Sequence, residues 1–139
     1  MTQLFYNALI EFKGKPIDGG DWVYGDLVQE HGGVYMQHVH IAHFAIGFST
    51  PVLTEVSRES VCRFSGVVDD SETKIYENDI IDVEYEARID GDTTEKRHTT
   101  KEVVFHKGVF GLSDGAEMRD SLEFASNHYK LKVIGNKYD

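Results

Sequence analysis

The chain is short of the residues that staple, stiffen or anchor a protein. One cysteine in 139 residues, Cys62, excludes an intrachain disulfide, so burial and hydrogen bonds must hold the fold. That suits a reducing compartment. There are only two prolines beside 13 glycines, a balance that favours many turns over a stiff linker. No stretch approaches the roughly 18 apolar residues of a membrane span, and MTQLFYNALIEF lacks the basic region and apolar run of an export signal. A soluble, cytoplasmic chain with no membrane partner is the expectation. Positive charge is scarce as well: 14 Lys and Arg stand against 24 Asp and Glu, a net charge of -10. Nucleic-acid affinity comes largely from Lys and Arg displacing counterions, so direct binding to nucleic acid is disfavoured.

What is present is an ordinary globular composition, 40% hydrophobic and 12% aromatic, with no repeat and no low-complexity segment. The length fits one domain or two small lobes. Arg63 to Val83, RFSGVVDDSETKIYENDIIDV, specifies its structure most tightly. Its apolar run through Val67 and Val68 is broken by DDSETK, whose residues favour turns by bonding to their own backbone. After Ile75 and Tyr76, Asn78-Asp79 marks a second tight turn, because Asn tolerates a left-handed backbone. From there Ile81, Val83, Tyr85 and Ala87 share one strand face, and Asp82, Glu84 and Glu86 the other.

Elsewhere the patterns again favour strands. Leu4 to Phe12 and Trp22 to Glu30 read as strands, Gly32-Gly33 as a hairpin turn, and Thr54 to Val56 as another strand. Between Val39 and Val52 no clean period appears, which leaves that stretch open. Asp90-Gly91 predicts a hairpin that places Glu84 opposite Arg97, with the polar leg TTEKRHTTK projecting from the body. Val103 to Phe105 and Val109 to Leu112 flank HKG as a short hairpin. Ser113 to Phe124 permits one helix, capped at Asp114 with Met118 and Leu122 four apart. Tyr129 to Ile134 closes the chain as a strand with Tyr129, Leu131 and Val133 on one face.

Three stretches also resemble the YopX family of phage and prophage proteins. VSRESVCRFSGVVDDSETKIYENDII matches that family's central motif at Phe64, Ser65, Gly66, Asp69, Ile75, Tyr76, Glu77, Asp79 and Ile80. FKGKPIDGGDWVYGDL, from Phe12 to Leu27, is similar to an earlier block, and KVIGNKY, from Lys132 to Tyr138, to a closing one. Cys62, Arg63 and Asn78 depart from the usual Gly, Gln and Gly. The resemblance implies a mainly β protein: an N-terminal β lobe over 1-57 and a small Src-homology-3-like β-barrel over 58-139. It carries no known catalytic residues, and members differ most between the blocks.

Chemistry finds little footing. His38, His40 and His43 in HVHIAH could face one way on a strand, but no Cys partner or zinc spacing accompanies them, so no metal is assigned. Asp69, Asp70, Glu72, Glu77 and Asp79 crowd the central turns without the spacing of a calcium loop, and turn formation explains them. Cys62 reads as a buried thiol. There is no phosphate loop, nucleophile elbow or dinucleotide fingerprint, so the chain is expected to be no enzyme and to need no cofactor. Aromatics in small barrels fill the core or line a shallow groove. Trp22, Tyr24, Arg63, Phe64, Tyr76 and Asp79 are accordingly the candidate binding residues, with Tyr35 in the same aromatic set. The expected role is a phage or prophage accessory protein that binds a protein partner or itself as a homo-oligomeric scaffold. A nucleic-acid-associated phage protein is the alternative.

Overall fold

The computed structural model describes residues 10–43, 48–115 and 118–139, with the backbone alone at 39–43, 48–51 and 119. Among these residues the structure is mainly β, with eleven strands and one short α-helix in two antiparallel sheets. Two compact units divide the chain, Met1–Phe64 and Ser65–Asp139. The stretch expected as a strand from Leu4 lies outside the described residues except at its end.

In the first unit β1 (Phe12–Gly14) lies between β2 (Val23–Glu30) and the start of β5 (Cys62–Val68), and β3 (Gly33–His43) joins β2 to β4 (Phe48–Glu55). The described residues of the open stretch after Val39 thus form the end of β3 and the start of β4. The β2–β3 turn sits one residue earlier than Gly32-Gly33: Glu30 pairs with Gly33, and His31 and Gly32 both take positive φ, +48 and +81. Two consecutive left-handed residues match the twist of the flanking strands, and that requirement selects His31-Gly32. Val34, Met36 and Val56 form the buried centre, with Phe12, Val23, Leu27 and Val61 packed on it. Cys62 is fully buried and its thiol donates to the Ser60 carbonyl at 3.2 Å.

The second unit contains the remainder of β5, β6 (Lys74–Tyr76) and a five-stranded sheet. Its order is β10 (Met118–Ser121), β9 (Val109–Ser113), β8 (Thr93–His106), β7 (Asp79–Asp90) and β11 (Lys130–Asn136). Ile81 and Val83 turn inward as their period predicts, and with Ile75, Val103, Leu112 and Leu131 they make the core. At the turn before β7, Asn78 has φ +70. Among the described residues the sheet edges β10 and β11 do not pair, so these ladders draw an open sheet and not a closed Src-homology-3-like barrel.

Two local expectations are corrected. The helix, α1, spans Leu122–His128 and not Ser113–Phe124: Ser121 caps it by accepting the Phe124 N–H at 3.1 Å, and Leu122 and Ala125 bury one face. Upstream, Gly115 takes φ +106 and Met118–Ser121 pairs with β9, so the helix does not begin at Asp114. In the β7–β8 hairpin Glu84 faces His98, and Arg97 faces Tyr85. The register slips between Arg88 and Asp90, where Ile89 is the extra residue of a bulge that moves the turn to Gly91-Asp92.

Candidate binding site

The six residues nominated from the sequence are shared between the two units. Trp22, Tyr24, Arg63 and Phe64 fall in the first unit, Tyr76 and Asp79 in the second. Trp22 is half-buried, with Lys13 Nζ 4.5 Å and Lys15 Nζ 5.1 Å from its ring centre. Tyr24 is 47% exposed and stands opposite Lys13, which in turn stands opposite Cys62; Arg63 stands opposite Phe12, which faces Gly25. Side chains alternate along strands, so Tyr24 and Arg63 lie in rows on opposite faces of the sheet. Phe64 is half-buried and its N–H donates to the Glu11 carbonyl at 2.8 Å.

Tyr76 and Asp79 are buried and serve the fold. Asp79 Oδ2 accepts the Tyr76 N–H at 2.7 Å, and its Oδ1 accepts the Asn136 side-chain amide at 2.8 Å. Asp69 does comparable work: Oδ1 accepts the N–H groups of Ser71 and Thr73, both at 2.8 Å, and Oδ2 accepts Val133 N–H at 3.0 Å. Ser65 Oγ donates to the Ile75 carbonyl at 2.7 Å. Ser65, Asp69 and Asp79 of the central block are therefore joints of the chain, each satisfying backbone groups that burial would otherwise strand.

One concave feature with chemical variety draws its lining from between the central and closing blocks. A cavity of about 270 Å³ opens on the inner face of the second unit's sheet, with buried Val83 and Leu112 beneath it. Tyr85 and Tyr129 supply aromatic walls, and Thr99, Lys101 and Asp120 supply polar groups. Register explains the gathering. Thr99 pairs with Val83 and Lys101 with Ile81, so both share the inward face, while Asp120 sits opposite Leu112. Among the described residues Lys101 and Asp120 make neither an ion pair nor a side-chain hydrogen bond. The sequence signal was available in the period-two row Thr99, Lys101, Val103, Phe105, but the polarity of TTEKRHTTK hides it.

Beyond this cavity β7 and β8 continue as a two-stranded arm. The β11 ladder reaches Glu84 and the β9 ladder reaches Glu102; Tyr85–Asp90 and the facing Thr93–Arg97 have no third strand among the described residues. At its root His98 Nδ1 lies 2.9 Å from Asp82 Oδ2, and further out Arg97 pairs with Glu95 at 2.7 Å. The Glu95 carboxylate, first by hydrogen bonding and then by its charge, holds the Arg97 guanidinium above its ordinary pKa. No three His, Cys, Asp or Glu among the described residues converge as a metal site; the side chains of His40 and His43 fall outside that description, and His38 Nε2 lies 3.0 Å from Thr54 Oγ1. No described helix is long and apolar enough to cross a membrane.

A mainly β chain of two antiparallel sheets, pinned by buried carboxylates at its turns, is thus the class of protein that the fold defines. It belongs to the YopX protein family, whose sequence profile matches residues 11–139. No curated protein and no solved structure matches the chain.

Proposed function

We propose that this chain is a non-catalytic, phage or prophage accessory protein that binds a protein partner in the host cytoplasm, and that the β7–β8 arm makes the contact. The arm's lack of a third strand carries this reading. A lone two-stranded ribbon is marginal in water, so strands prolonged past the sheet as Tyr85–Asp90 and Thr93–Arg97 are here are better suited to presenting a surface than to supporting the core. Near its tip Ile89 is 52% exposed at the bulge. Acidic Glu86, Asp90, Asp92 and Glu95 alternate with basic Arg88, Lys96 and Arg97, a mixture that complements a protein surface better than a phosphate backbone.

Tagged chain and its Ile89→Asp variant, each recovered from phage-infected cells, test the reading. A partner retained by the first and lost by the second, with an unchanged melting curve, is the expected result. Equal retention by both refutes a contact through the arm. Light scattering across concentration identifies the case in which the partner is a second copy.

The C-terminal unit is further inferred to be a bent, incompletely closed form of a Src-homology-3-like barrel. Supporting this, the turn after β5 meets β11 through the Asp70 N–H on the Leu131 carbonyl at 3.1 Å and Asp69 Oδ2 on Val133 N–H. Slow amide exchange at both Asp70 and Val133 is expected of such a seam, and fast exchange at both contradicts it.

A further inference from the structure

We propose that the cavity beneath the arm is a binding site for a free α-amino acid with an apolar side chain, an assignment separate from the arm's protein contact. Three observations combine. The cavity's volume, about 270 Å³, lies just under the usual range for ligand pockets, roughly 300–1,000 Å³, so it suits a small molecule. Its base is apolar and its walls aromatic, from Val83, Leu112, Tyr85 and Tyr129. Among the described residues its lining holds one cation, Lys101, and one anion, Asp120, both half-buried and not paired with each other.

That charge pair selects the ligand. An anion alone would sit against Asp120, a cation alone would sit against Lys101, and a neutral apolar molecule would strip water from both without replacing it. A zwitterion answers each charge with its opposite: the α-carboxylate meets the Lys101 ammonium and the α-ammonium meets the Asp120 carboxylate. The apolar side chain then covers Val83 and Leu112, and Thr99 adds a hydroxyl to the same lining.

The test is a two-dimensional amide NMR titration of the full chain with L-leucine, L-leucinamide and N-acetyl-L-leucine. Leucine should give saturable shifts at Thr99, Lys101, Asp120 and Tyr129. Leucinamide, which lacks the carboxylate, and N-acetyl-leucine, which lacks the ammonium, should each bind at least tenfold more weakly. Lys101→Met and Asp120→Asn should each weaken leucine at least tenfold while the spectrum stays dispersed. Absence of a saturable shift with leucine overturns the proposal, as does equal binding of either blocked derivative or undiminished binding by both variants. The derivative comparison uses the unaltered chain, so it still discriminates where a variant fails to fold.

Discussion

Asn136 donates its side-chain amide to Asp79 Oδ1 across 2.8 Å, joining residues 57 apart in sequence inside the buried end of the second unit. Asp79 also accepts the Tyr76 N–H, and Asn136 Oδ1 accepts the Tyr138 N–H at 2.9 Å. Each side chain therefore closes its own turn and meets the other. Asp79→Ala and Asn136→Ala should each cost on the order of 2 kcal/mol, since each strands buried polar groups. The double variant should cost about 1 kcal/mol or more less than the sum, read from urea denaturation. Strict additivity would show that the two turns are independent.

Asp69 protects the outer edge of β11 by presenting a carboxylate where a neighbouring strand would present carbonyls. Asp69→Ala should lower stability by roughly 2–3 kcal/mol, because three backbone N–H groups lose their acceptor. It should also raise the concentration-dependent light scattering of the folded protein. A destabilised but strictly unassociated variant would deny the edge-protecting part of this role.

Gly25 has φ +156, and a Cβ there would run into the Gln37 carbonyl on β3. Gly25→Ala should cost about 2 kcal/mol or more, through crowding that the β1–β2–β3 ladder cannot relieve without shifting. Chemical denaturation measures it. A change under about 0.5 kcal/mol, the scale of a neutral surface substitution, would mean that the strands separate freely here.

Glu59 carries a pH signature. Its own backbone N–H, and then the Ser57 hydroxyl that donates to Oε2 at 2.9 Å, hold its carboxyl below the ordinary carboxylate value. A folded-state pKa below the unfolded one stabilises above the unfolded value, and this contribution is lost as pH falls through the folded one. Carbon-detected NMR should therefore find Glu59 titrating below a glutamate in an unstructured peptide, and Glu59→Gln should remove that part of the acid dependence. Titration at the peptide value would contradict the geometry.

The strands of the second unit are legible because burial on one face imposes a period of two: Ile81, Val83, Leu131 and Val133 announce the core directly. Turns are legible as events but slip by a residue, as at His31-Gly32 and Gly91-Asp92, because the handedness of the turn and a bulge at Ile89 fix register and neither leaves a pattern in polarity. The helix moves because Met118–Ser121 pairs with β9 and the cap falls to Ser121, a choice made by tertiary pairing. Asp79 enters the candidate set in sequence as a neighbour of the aromatics, and the fold buries it with backbone and amide partners, in keeping with the turn role its type predicts. Lys101 and Asp120 escape notice because each lies in a polar run, and only the antiparallel ladders bring them to one cavity.

The arm's separation from the core is tested most directly by excision. Removing Glu86 to Lys96 and joining Tyr85 to Arg97 through Asn-Gly should leave the unfolding free energy within about 0.5 kcal/mol of the parent, since no third strand among the described residues depends on the excised ones. The shortened chain should fold and fail to retain the partner that the intact chain retains from infected cells. Retention at the parental level by the folded, armless chain would contradict the account.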